Sequence, residues 1–214
     1  MAVIENTGIY TLMKPVVMTH PSLFEARGFG KKGKETGEPK FSANFLFDPA
    51  SEDLAGMKKV AAQVARARWP NREFKELKFP FTAGDKLADN RKAKSGKDGG
   101  DFNRGKIVVA ARSKYEPRLS GVENGKVADY EGDARVKSKG KFFFGVEVLA
   151  QFNFVAYDGV GANPDGVTAY LNMVHTTNRG TRLSSGASAA ETFKDYAGHI
   201  SQENPTAVED EIPF

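Results

Sequence analysis

The 214-residue sequence predicts a mainly β fold, a small and partly open antiparallel β-barrel with long loops and one helix between strands. Three observations carry that expectation. Residues 142–157 alternate Phe142, Phe144, Val146, Val148, Ala150, Phe152 and Phe154 on one face with Glu147, Gln151 and Asn153 on the other, the period of a half-buried strand long enough to curve around a barrel. Residues 40–47 repeat the pattern with Phe41, Ala43, Phe45 and Phe47. Asn163-Pro164-Asp165-Gly166 is a turn sequence that lets residues 167–175 pair back antiparallel.

The remaining elements follow in chain order. Residues 9–18 and 23–29 are apolar or β-branched enough for two strands, joined to the strand at 40–47 by the basic, glycine-rich loop 30–39. Asp48 as N-cap and Pro49 as first helical residue open a helix that runs to about Trp69. Its apolar positions Leu54, Met57, Ala61 and Val64 recur at helical spacing, and Arg66 and Arg68 suit its C-terminal end. Residues 80–104 lose apolar periodicity and predict a long flexible loop. Strands are expected at 106–114 and, short and poorly defined, within 126–137. Ser188 and Glu191 have the spacing of a capping box for a short helix through Phe193 and Ala197. The folded domain therefore spans 1–202, and 203–214 form a disordered acidic tail.

Composition narrows the function. There is no cysteine, so disulfides, thiolate metal sites and thiol nucleophiles are excluded together. His20, His175 and His199 are scattered, and no GxSxG, GxxxxGK[ST] or HExxH motif is present, which leaves hydrolase, nucleotide-triphosphatase and zinc-protease chemistry without its usual residues. No apolar run reaches membrane-spanning length and no signal-peptide pattern opens the chain, so a soluble cytoplasmic protein is expected. The net charge of +4 divides unevenly, because residues 203–214 hold four acids and no Lys or Arg, leaving the body at +8. A basic body suits a polyanion.

The recurring chemistry is an aromatic ring beside a cation. Unpaired bases stack on such rings for about 1–3 kcal/mol each while Lys and Arg neutralise phosphates regardless of sequence. Phe102 beside Arg104 and Tyr115 beside Lys114 are the candidate stacking platforms. Lys31, Lys32, Lys34, Arg91, Lys92, Lys94 and Arg112 join Arg104 and Lys114 as candidate phosphate contacts. The alternating phenylalanines of 142–157 and Trp69 read instead as core or packing residues. The chain ends on the acids Glu209, Asp210 and Glu211 followed by Ile212, Pro213 and Phe214. An apolar anchor after acids gains nothing unless another protein receives it, so this segment reads as a docking peptide.

These segments resemble known families. The ending EDEIPF is similar to the C-terminal tip of bacterial single-stranded DNA-binding proteins, which docks replication and repair enzymes. GKIVVAARSKYEPRL (105–119), FFFGVEVLAQFNFVAYD (142–158), GVTAYLNMVHTTNRGTRL (166–183) and SAAETFKDY (188–196) resemble a bacteriophage family, formerly of unknown function, of single-stranded DNA-binding proteins with an OB-fold. The resemblance implies an OB barrel that coats single-stranded DNA without strong sequence preference in replication, recombination or repair, needs no cofactor, and recruits partners through its tail. A homo-oligomer and weaker binding of duplex DNA or RNA are compatible with it. The alternatives are a magnesium-dependent phage nuclease or recombination enzyme, which clustered acids would mark, and an RNA-binding protein.

Overall fold

Period-2 alternation builds the walls of a barrel. A computed structural model of the chain describes residues 8–28, 38–95, 100–161 and 163–183. The expected helix beginning at Ser188, the loop lysines Lys31, Lys32 and Lys34, and the tail lie outside the described residues. In chain order the elements are β1 (Ile9–Thr11), β2 (Val16–Arg27), β3 (Lys40–Phe47), α1 (Glu52–Arg68), β4 (Phe81–Ala83), α2 (Gly84–Ser95) and β5 (Ile107–Ser113). They continue with β6 (Arg118–Glu123), β7 (Lys126–Asp129), α3 (Gly132–Lys137), β8 (Val146–Tyr157) and β9 (Gly166–Gly180).

Five of these strands form a ring. β2 pairs antiparallel with β3 and β3 with β5; β5 meets β9 in parallel, β9 returns antiparallel to β8, and β8 closes on β2. Taking the ring strands in chain order, the circuit is 1-2-3-5-4-1, the connectivity of an OB barrel. Two seams are short: the β5–β9 contact is the pair Ala111–Ala169, and β8 meets β2 at Val16–Val148 and Val17–Glu147. The ring is thus closed over only part of its height, in keeping with the partly open barrel expected.

The inward residues of alternate positions fill the barrel. Phe45, Phe152, Phe154, Val109, Leu171 and Val174 are buried, and the Phe45 and Phe152 rings meet edge to face with centroids 5.0 Å apart. α1 lies against β8, β1 and β9 and buries Leu54, Met57, Ala61 and Ala65. Its Gly56 is required by a close approach, since a Cβ there would stand 2.5 Å from the Tyr10 hydroxyl. That hydroxyl donates to the buried Asp53 carboxylate at 2.9 Å, and burial with the neighbouring carboxylate pushes the phenol up to about 12.

Several elements differ from their sequence expectation for identifiable reasons. The strand expected over 9–18 breaks at Leu12, because Asp53 also accepts the backbone N–H groups of Met13 (3.1 Å) and Lys14 (3.0 Å) and fixes a turn. The segment at 23–29 is then the continuation of β2, interrupted by an irregularity between Thr19 and Ser22 where His20 takes φ +50°. Ser51, not Asp48, caps α1, its Oγ accepting from Leu54 N at 3.4 Å. The flexible loop expected over 80–104 contains β4, paired to β5, and α2. Residues 126–137 split into β7 and α3, and β6 pairs with β7 as a hairpin through Asn124 and Gly125. No helix among the described residues is long and apolar enough to cross a membrane.

Candidate nucleic-acid interface

The outward positions of the same strands form the candidate site. On β5, Val109 and Ala111 point into the core, so Val108, Ala110 and Arg112 face outward; on β9, Thr168 and Tyr170 alternate with the buried Val167, Ala169 and Leu171. Across β3, Ser42 lies opposite Arg112 and Asn44 opposite Ala110. This outer face holds a hollow of about 600 Å³, bordered by Lys40, Lys78 and Arg112 with no acid among the described residues of its lining, and by the rings of Phe79, Tyr157 and Tyr170. Leu87 of α2 closes one side.

The wall of that hollow is fastened by the connection between β8 and β9. Asp165 accepts from Gly159 N at 2.6 Å and pairs with Arg72, and these contacts hold its carboxyl below the usual carboxylate range. Its backbone oxygen accepts from Lys78 N at 2.9 Å, and Val167 N donates to Lys78 O at 2.8 Å. Lys78 and Phe79 are thereby set beside the start of β9.

A second hollow of about 670 Å³ lies where β9 meets β8 and where the chain leaves β5. Lys114, Tyr115, Glu116 and Arg118 line one part; Gln151, Asn153, Asn172 and Met173 line another. Tyr170 borders both hollows, which makes them neighbours on one surface. Tyr115 is 83% exposed and Tyr170 36%. Rings presented to solvent amid cations can stack on bases, which a buried ring cannot.

The structure brings Arg112, Lys114 and Tyr115 to this surface, all three from the end of β5 and the residues after it. Lys114 pairs with Glu38 at 2.6 Å, which raises its affinity for its proton. Arg104 is engaged by Asp89 at 3.0 Å and Asp101 at 2.9 Å, so its charge is shared within the fold. Arg91, Lys92 and Lys94 lie on the last turns of α2; Arg91 is near His20, and burial together with that cation holds the imidazole below its ordinary range. Lys40, Lys78, Tyr157 and Tyr170 line the same hollow, and local sequence does not single them out. The one signal for Tyr170 is its place between the inward Ala169 and Leu171.

Phe102 occupies a different setting. Its half-buried ring meets Phe144 edge to face at 5.2 Å and lies 5.9 Å from His20. Phe102→Ala is therefore expected to lower unfolding free energy in urea by roughly half the 3–5 kcal/mol of a fully buried ring. Its effect on oligonucleotide binding has to be measured where the variant is still folded; unchanged stability would show that the cluster does not depend on the ring.

Among the described residues, no three His, Cys, Asp or Glu side chains gather into a metal-binding group. A family profile described as the ssDNA-binding protein of Enterobacter phage Enc34 matches residues 10–204. The fold is similar to that of the bacteriophage Enc34 single-stranded DNA-binding protein in complex with ssDNA, with TM-score 0.60 at 16% identity, covering 84% of this chain and 91% of that one. A C-terminal truncation of the Enc34 protein gives TM-score 0.56 at 17% identity over 83% and 89% of the two chains. Gp2.5, a single-stranded DNA-binding protein encoded by bacteriophage T7, gives 0.48 at 12% identity over 94% and 98%. No curated protein sequence matches the chain.

Proposed function

The chain belongs to the single-stranded DNA-binding family of Enterobacter phage Enc34, and from that premise we propose that the outer face of β3, β5 and β9 is where it holds single-stranded DNA. One observation carries the placement: the cation-lined, ring-bearing hollow covers the second and third strands of an OB barrel and abuts the connection between its fourth and fifth strands, the surface on which such barrels take oligonucleotides. Lys40, Lys78, Arg112 and Arg118 meet phosphates there, and Tyr157, Tyr170 and Tyr115 offer faces to bases. Lys31, Lys32 and Lys34, in the connection between the first two ring strands and outside the described residues, and Arg91, Lys92, Lys94, Arg104, Lys114 and Phe102 are further candidate contacts. The protein is a binding protein, not an enzyme, and neither the nuclease nor the RNA-binding alternative gains support from the family or the fold. We place it in the host cytoplasm.

Salt titration tests the reading. Each phosphate neutralised on a single strand contributes a slope of about −0.7 to log K against log salt. Replacing Lys40, Lys78 and Arg112 together by alanine is expected to make that slope shallower by about 2. A slope left unchanged would remove this face from the DNA path.

The tail supports a second role within the same function. Its acids and its Ile212-Pro213-Phe214 anchor fit a segment that recruits replication and repair proteins. Removing Phe214 alone is expected to abolish that capture in pull-downs and to leave the oligonucleotide affinity intact. Recovery of the same proteins by both forms would reduce the tail to an acidic modulator.

A further inference from the structure

Helix α3 buries none of its own residues, and its Val136 is 71% exposed. Apolar packing therefore does not seat it. Arg135, whose side chain is 13% exposed, ties it to the barrel instead. Its Nη2 donates to Leu23 O on β2 at 2.7 Å and its Nη1 to Pro117 O at 3.0 Å, while Nε pairs with the Glu116 carboxylate at 2.6 Å. The guanidinium also lies 5.5 Å from the centroid of the Phe24 ring. β2 and β6 are not neighbours in the sheet, so one planar fork bridges β2 and the residues that lead into β6.

Those residues follow Tyr115. The connection from β5 to β6 runs over 114–117, and Tyr115, in its middle, is too exposed for packing to fix its ring. Its backbone has to supply that order. On the β5 side, Tyr115 N donates at 3.0 Å to the Oγ of the buried Ser113. On the β6 side, Pro117 fixes its own φ and steers Glu116 away from helical backbone, and Arg135 holds both residues.

Resting on the single-stranded DNA reading above, we propose that Arg135 is a positioning residue: from α3 it fastens the 116–117 end of this connection and so presents Tyr115 to DNA without touching DNA itself. Its cation is engaged by Glu116 and two backbone carbonyls, and it lines neither hollow of the candidate interface. A platform held in place before binding loses less freedom when a base stacks on it. Lysine, a point charge on a flexible stem, cannot make the three directed contacts at once.

The experiment measures oligothymidylate affinity by fluorescence anisotropy for Arg135→Met, in the native background and in a Tyr115→Ala background, with a thermal melt on each protein. Arg135→Met is expected to weaken binding about two- to tenfold, the penalty for ordering a loosened side chain on binding. Once Tyr115 is gone it is expected to cost nothing further, because both substitutions then act on one contact. An equal loss in both backgrounds, or no loss in the native one, overturns the proposal. If Arg135→Met does not fold, Glu116→Ala, at a side chain 52% exposed, decides by the sign of its effect. Removing an acid beside phosphates tightens binding by charge alone, so weaker binding supports the positioning role and unchanged or tighter binding overturns it. Failure of the DNA reading itself looks different: the native protein does not bind oligothymidylate, or Tyr115→Ala binds it as the native protein does.

Discussion

Tyr170→Ala is expected to weaken binding of an oligothymidylate by about 5- to 150-fold, the equivalent of the 1–3 kcal/mol that one base stacked on an aromatic ring contributes. The ring borders both hollows, so its loss interrupts the surface where they adjoin. Stability is expected to change little, because the residues flanking it in β9, Ala169 and Leu171, are the ones that face the core, and alanine at an outward position leaves no internal cavity. Anisotropy titration and a thermal melt on the same variant separate the two effects. Native affinity with a native melting temperature would exclude Tyr170 as a platform. A large drop in melting temperature would instead assign the ring to packing.

The contrast between the faces of β9 also shows what the sequence discloses. Alternation over 146–157 and 40–47 is legible because each strand has one wet face and one dry face, and the two hydropathies interleave, whereas Phe142 and Phe144, which continue the pattern in sequence, precede β8 and lie outside the strand. The hairpin at Asn124-Gly125 carries a strong turn signal, with φ +50° and +75°, yet its flanking Val122 and Val127 are both exposed, β7 buries no residue and β6 buries Leu119, Ser120 and Gly121 in succession, so no apolar alternation betrays the strands. α2 is legible only in retrospect, since Ala88 is buried and Leu87 closes a hollow while most of the helix is polar. The break after β1 depends on Asp53, a partner some forty residues away whose role no local pattern encodes. The site shares that property. Arg112, Lys114 and Tyr115 are adjacent in sequence and can be read as a cluster, but Lys40 and Tyr170 share a hollow with Arg112 only because ring order sets β3 and β9 on either side of β5, and Lys78 only because its backbone is bonded to Asp165 and Val167.

Phe152→Ala tests the opposite face of the neighbouring strand. Phe152 is fully buried, stands edge to face against Phe45 and lies 6.4 Å from the Phe154 ring, so alanine removes contacts to two rings and leaves a cavity among strands that close only along short seams. A loss of about 3–5 kcal/mol is expected, a large part of the 5–15 kcal/mol that typically holds a domain together. Its neighbours Gln151 and Asn153 point outward, so the binding surface survives in those molecules that remain folded. Two measurements follow from that separation. Urea unfolding should show a midpoint lowered in proportion to the lost free energy, and excess oligonucleotide should raise it again, because a ligand that binds only the folded chain stabilises it by mass action. A variant that unfolds early and gains nothing from saturating DNA would mean that inner and outer faces are not independent, and that the barrel interior itself shapes the site.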